Sequence, residues 1–130
     1  MARSVPSRGA GRFTPRVGGG SAFFVRRLVR LKITMFIISL HYIKDLSEVD
    51  RFVAEHRLFL ERQFAAGKFL MSGRKEPRTG GVIIAHGYSL AEIEAIIQAD
   101  PFHREQIARY EITQFTSTMT ARVLNDYKAA

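Results

Sequence analysis

His56 and Asp100 are titratable residues at positions where an amphipathic helix pattern requires apolar side chains. His56 lies seven residues after Val49 and four before Leu60, and Asp100 lies seven residues after Ile93. Burying such groups is costly unless they satisfy each other. A carboxylate bonded to one imidazole nitrogen fixes the tautomer and leaves the other nitrogen free to take or give a proton. The pattern therefore predicts a catalytic pair in which His56 is a general acid or base and Asp100 orients it.

The same two residues also fit a purely structural interpretation. A histidine on an apolar helix face is often a satisfied core residue, and an aspartate before a proline, here Pro101, is often a local helix cap. An enzyme predicts a pocket open to solvent at His56, whereas a structural pair predicts that both groups are sealed in the core. The two hypotheses are a cofactor-independent isomerase or lyase and a non-catalytic small-molecule-binding or interaction domain.

Composition excludes several other chemistries. The chain has 130 residues, enough for one domain, and no cysteine, which excludes disulfides, thiolate nucleophiles and Cys-based metal centres. Its four histidines, at positions 41, 56, 86 and 103, lack the short helical spacing of metal ligands. We therefore expect a protein that uses neither a metal nor another cofactor. We expect its ligand to be a small molecule.

The net charge of +8 comes from the N-terminal extension. Residues 1–34 contain eight of the 20 Lys and Arg and no acidic residue, so the other 12 basic residues balance the 12 Asp and Glu. Since only this arm is basic, we expect no nucleic-acid partner for the domain. Residues 1–20 are rich in Gly, Ser, Pro and Arg, which predicts disorder. Three interpretations of the extension stay open: a translation start placed upstream of Met35, which we favour, a basic arm that touches anionic surfaces, or a transit-like peptide.

The uncharged segments are too short for membrane or secretory functions. Residues 21–25 are shorter than a signal-peptide core, and residues 33–43 fall far below the roughly 20 residues of a spanning helix. The sequence therefore predicts a cytoplasmic protein with no membrane partner.

From Met35 onward the hydrophobic pattern alternates between strands and helices. It predicts a strand over 36–40, a helix capped by Asp45 or Ser47 and ended by Gly67, and a hairpin of strands 69–73 and 82–85. A second helix follows from Ser89 and is stopped by Pro101 at Asp100, and a last strand over 110–115 belongs to a pattern that alternates until 120. The order β-α-β-β-α-β is that of an α+β, ferredoxin-like fold with a four-stranded antiparallel sheet and two helices on one face.

The face of such a sheet that is opposite the helices must be shielded from solvent if it carries apolar side chains. We expect apolar groups such as those of Phe36, Ile38 or Val82 to face outward there, and hence a homodimer that packs sheet on sheet. The folded domain should span residues 35–121, and residues 122–130 should form a C-terminal tail that is frayed or a short helix.

Several short motifs together resemble the YCII-related family of small dimeric α+β barrel proteins. They are His56, residues 67–73, residues 80–84, Asp100-Pro101-Phe102 and Tyr110-Glu111-Ile112, and the resemblance extends from Met35 to about Phe115. The family has a histidine on its first helix and an aspartate at the end of its second, matched here by His56 and Asp100. The resemblance implies that these form an acid-base dyad. Through similarity to muconolactone isomerase and to a dehydrochlorinase of chlorinated hydroquinone breakdown, it also implies small cyclic or aromatic substrates.

The predicted hairpin holds three candidate substrate-binding residues, Ser72, Gly73 and Arg74. Ser72 could hydrogen-bond a substrate, although an unactivated serine is a poor nucleophile. Arg74 departs from the family pattern, which often has proline after the Ser-Gly pair, and this changes the expected pocket rim. With Lys75 and Arg78 it forms either a solvated loop or an anion-binding rim that would select carboxylate or phenolate substrates.

Overall fold

The computed structural model describes residues 33–129. Its elements are β1 (Thr34–Tyr42), α1 (Leu46–Ala65), β2 (Phe69–Arg74), β3 (Gly80–Gly87), α2 (Leu90–Ile97), α3 (Pro101–Arg104), β4 (Ala108–Phe115) and a 3-10 helix (Arg122–Tyr127). The expectations for residues 1–32, including disorder of residues 1–20, lie outside the described part of the chain. Within that part, no helix combines the length and the apolar character needed to cross a membrane.

The four strands form one antiparallel sheet in the order β2-β3-β1-β4. β1 is central, and its Ile38 lies opposite Ile83 of β3 and Ile112 of β4. With α1 and α2 connecting the strands, this arrangement confirms the predicted α+β ferredoxin-like fold, β-α-β-β-α-β.

Phe36 and Ile38 point into the core, so the expectation that they face outward is wrong. Both are fully buried, and they pack in one cluster with Val49 of α1. Side chains alternate along a strand, so the intervening Ile37 lies on the opposite face, where it is exposed. By the same alternation, Val82, which is half-buried and precedes the buried Ile83, belongs to the outer face as expected.

The second predicted helix is in fact two helices. α2 starts where expected, because the Ser89 side chain accepts a hydrogen bond from the Glu92 amide, but it ends at Ile97. Asp100 is not its last residue: it is the N-cap of α3, with Pro101 in the first turn. Proline suits a first helical turn because its missing N–H has no intrahelical partner there. The proline thus starts a helix at a position where the sequence pattern predicts only the end of one.

The C-terminal segment leaves the sheet after Phe115 and returns to it. β4 ends at Phe115, the predicted last residue of the strand, although the alternating pattern continues to 120. The tail contains the 3-10 helix, and the Tyr127 ring meets the His86 ring of β3 at 5.1 Å. The tail therefore packs against one end of the sheet.

Candidate active site

His56 and Asp100 meet across the helix layer. His56 projects from the middle of α1, Asp100 precedes α3, and His56 Nδ1 lies 2.8 Å from Asp100 Oδ1. The His56 side chain is 15% exposed, whereas that of Asp100 is 0% exposed. The acid is therefore sealed in the core, and the histidine retains access to solvent.

The Asp100 carboxylate accepts hydrogen bonds on both oxygens. Oδ1 also accepts the Phe102 backbone N–H at 2.9 Å, and Oδ2 accepts the Tyr110 hydroxyl from β4. A carboxylate can only accept, so the contact with His56 requires Nδ1 to carry the proton. In neutral His56 the lone pair is then on Nε2, the nitrogen that a proton donor could reach.

Tyr110 is held as a neutral donor to this carboxylate. Burial, the charge of Asp100 and the hydrogen bond to it all raise the pKa of Tyr110 well above its usual value. Its hydroxyl therefore keeps its proton, and with it the contact to Asp100, across the physiological range.

Phe102 fixes the plane of the imidazole. Its ring is stacked on that of His56, with centroids 4.0 Å apart and an interplanar angle of 5°. Phe102 is buried and covers one face of the His56 ring. The same ring is held at Nδ1 by its hydrogen bond to Asp100. Such support from packing and hydrogen bonding pre-organises a catalytic side chain.

His56 lies in the wall of a cavity of about 490 Å³ between α1 and the β2–β3 hairpin. This volume lies in the range of small-molecule sites. Apolar side chains make up much of the lining: Leu40, Val53, Leu60, Ile83 and Phe102. The pair is therefore not sealed in the core, because its histidine lies in the wall of this cavity.

The predicted substrate-binding residues Ser72, Gly73 and Arg74 line the same cavity. A β-bulge between Phe69 and Met71 changes the register of β2, so that Ser72 lies opposite the core residue Ile83. Without the extra residue, strand alternation would turn Ser72 to the other face of the sheet. All three residues are exposed. Their role in binding stays a prediction.

Two residues of the site were not assigned a role from the sequence: Tyr110 and Arg57. Tyr110 belongs to a quoted motif, but nothing local indicates that it reaches Asp100. Arg57 lines the cavity. The sequence feature that could have identified it is its position four residues after Val53, another lining residue, because residues at this spacing share one face of a helix. Arg78 also lines the cavity, and its guanidinium donates to Asp50 Oδ1 at 2.7 Å. That hydrogen bond raises the pKa of Arg78, which stays charged.

Residues 33–129 bring together no cluster of three His, Cys, Asp or Glu side chains that could hold a metal ion. The imidazole of His56 is a group that can take or give a proton near neutral pH. The cationic side chains of the cavity could in addition contact an anionic ligand.

Comparison with known proteins places this site in a family context. One similar solved structure is 5-chloro-2-hydroxyhydroquinone dehydrochlorinase from Burkholderia phenoliruptrix in complex with 2,5-dihydroxybenzoquinone, which is 19% identical, with a TM-score of 0.56 over 64% of this chain and 94% of that chain. At this identity the similarity shows a shared fold. No curated protein matches the sequence. The family model for the YCII-related domain matches residues 35–116, well over half of the chain, and the protein belongs to that family.

Proposed function

We propose that this protein is a cofactor-independent isomerase or lyase in which His56 transfers a proton and Asp100 orients it. The observation that carries the proposal is the 2.8 Å contact of a buried Asp100 with a His56 that still faces a cavity. A structural pair has no need of that access. The fixed Nδ1 proton and the stacked Phe102 ring support the same conclusion, because both direct Nε2 to a single orientation.

The proposed reaction starts with proton removal from an acidic C–H next to a carbonyl, or from a ring hydroxyl. Nε2 takes the proton, the imidazolium is stabilised by Asp100, and the electron pair moves onto the carbonyl oxygen or into the ring. In an isomerisation, His56 returns the proton at another carbon. In an elimination, the electron pair expels a leaving group such as chloride, and the proton passes to solvent.

The substrate class is proposed from the cavity and from the fold. The apolar lining and the volume suit a single ring with few substituents. The structurally similar dehydrochlorinase acts, by its name, on a chlorinated hydroxyhydroquinone, and it was solved with a dihydroxybenzoquinone. We therefore propose a small cyclic or aromatic metabolite as the substrate.

Substitution of His56 tests the proposal. Wild-type protein, His56→Gln and Asp100→Asn should be incubated with 5-chloro-2-hydroxyhydroquinone, muconolactone and further cyclic carbon acids, while chloride release and deuterium uptake from D₂O are measured. We expect His56→Gln to lower any turnover by about 10²- to 10⁴-fold, the usual contribution of a general acid or base. Asp100→Asn should also lower it, because the amide no longer favours the Nδ1–H tautomer.

His41→Gln is the matched control, because His41 is exposed and does not line the cavity. It should keep the wild-type rate. Turnover that survives in His56→Gln would contradict the proposal. Binding of these ring compounds without any turnover would instead favour the alternative of a non-catalytic small-molecule-binding domain.

A further inference from the structure

The charged groups that line the His56 cavity are all basic. They are Arg57, Arg74 and Arg78, and the lining contains no aspartate or glutamate. Asp100 lies behind His56 with its oxygens occupied by hydrogen bonds. Positive charges in a concave site with apolar walls raise the local concentration of anions. The cavity is therefore electrostatically suited to an anionic ligand.

The three arginines differ in how far their charge is already neutralised. The Arg74 side chain is 71% exposed and lies 3.6 Å from Glu76, so it is loosely held. Arg78 is bonded to Asp50 at 2.7 Å, which compensates much of its charge. The ion pairs among residues 33–129 do not include Arg57. Arg57 therefore has the least compensated charge of the three.

Arg57 is an exposed side chain on α1, the helix that also carries His56. Together with Val53, His56 and Leu60 it forms the stripe of α1 that lines the cavity. Arg78 contacts the same helix at Asp50, seven residues before Arg57 and hence about 10 Å away along the axis. An anion bound at Arg57 would therefore lie at the same cavity wall as His56.

We propose that Arg57 determines specificity by binding the carboxylate of a small cyclic acid, while Arg78 adds a second positive charge along the same edge of α1. This inference rests on the proposed function for its substrate and deepens it. A planar guanidinium binds a carboxylate with two parallel hydrogen bonds, and an ammonium or an amide cannot reproduce that geometry. The group selected is therefore the acid and not its neutral analogue.

A pair of ligands that match in shape but differ in charge tests the inference without requiring the true substrate. The dissociation constants of 2,5-dihydroxybenzoate and 2,5-dihydroxybenzamide should be measured by isothermal titration calorimetry at low salt. We expect the wild type to bind the acid at least about tenfold more tightly than the amide, a difference of one charge-assisted contact. Arg57→Gln should lose this preference and keep its affinity for the amide, and Arg57→Lys should restore it only in part.

Arg62→Gln is the matched control, since Arg62 lies on α1 but outside the cavity lining. It should bind both ligands as the wild type does. Equal affinity of the wild type for the two ligands, no binding of the acid, or equal losses in Arg57→Gln and Arg62→Gln would each overturn the inference. His56→Gln should keep the preference for the acid. Failure of the dyad and failure of anion selection therefore appear in different experiments.

Discussion

At the scale of single residues, Asp100 serves two purposes that the sequence presented as alternatives. Its Oδ1 caps α3 through the Phe102 amide and also contacts His56, and its Oδ2 accepts the Tyr110 hydroxyl. A carboxylate has enough lone pairs for all three partners. Local capping and orientation of the histidine are therefore compatible, and only the exposure of His56 distinguishes an enzyme from a structural pair.

Tyr110→Phe should destabilise the protein and change its response to alkali. At neutral pH the loss of the hydroxyl leaves Asp100 Oδ2 without its donor, at a cost of about 1–3 kcal/mol. The folded state raises the pKa of Tyr110, so the stabilisation is complete below the unfolded value of about 10 and is lost as pH rises above it. From pH 8 to pH 11 the wild type should therefore lose about 1.4 kcal/mol more than Tyr110→Phe.

Urea unfolding of both proteins at pH 8 and pH 11 measures this difference. Tyr88→Phe is the control, because Tyr88 is exposed and its hydroxyl makes no hydrogen bond among the described residues. Tyr88→Phe should have the same free energy of unfolding as the wild type at pH 8. Parallel losses of stability in wild type and Tyr110→Phe between the two pH values would contradict the assigned role of the hydroxyl.

At the scale of elements, local signals predicted the starts and ends of most helices and strands. Ser89 caps α2 as expected, and Gly67, with φ 77°, follows the end of α1 in the left-handed conformation that glycine favours. The break between α2 and α3 was missed because Ile96, Ile97 and Asp100 keep a helical spacing across it. Periodicity alone does not distinguish one helix from two consecutive ones on the same side of the sheet.

Gly80 is required where β3 pairs with β1. A Cβ built at this position would lie 1.8 Å from the Leu40 carbonyl oxygen, a backbone atom that cannot move without disturbing the sheet. Gly80→Ala should therefore lower the free energy of unfolding by about 1–3 kcal/mol, as overpacking does in well-packed cores. Chemical denaturation monitored by circular dichroism measures the change.

Gly73→Ala provides the comparison for Gly80→Ala. Gly73 belongs to the same hairpin, but a Cβ there would meet nothing within 4 Å. Its effect on stability should stay within about 0.5 kcal/mol. If the two alanine variants are equally stable, the close approach of Gly80 to Leu40 is not a determinant of this sheet.

At the scale of the whole molecule, the outer face of the sheet exposes several large apolar side chains among polar ones. Ile37, Met71 and Phe115 are exposed, and they lie on strands whose other faces pack against the helices. Large exposed apolar surfaces usually mark an interaction site. The expected homodimer, with its sheets packed face to face, stays a proposal for covering this surface.

Ile37→Glu should weaken such a dimer, because it places a charge at the centre of the proposed interface. Sedimentation velocity over a range of concentrations should find a dimer for the wild type and a smaller species for Ile37→Glu. Leu58→Glu changes an exposed residue of α1 in the same way and should leave the assembly unchanged. A wild-type protein that is monomeric at every concentration would remove the proposal.

The sequence by itself determined the β-α-β-β-α-β order, although not the break between α2 and α3, together with the ferredoxin-like class and the family, and it identified His56 and Asp100 as candidates. Each depends on local spacing, caps or short motifs, which act over a few residues. Only the tertiary structure decided that Tyr110 reaches Asp100, that a bulge in β2 turns Ser72 toward the cavity, and that Arg57 lines it. These depend on strand register and on packing between elements distant in sequence. A one-residue change in strand register turns a side chain to the opposite face of the sheet, and local sequence patterns do not encode the register.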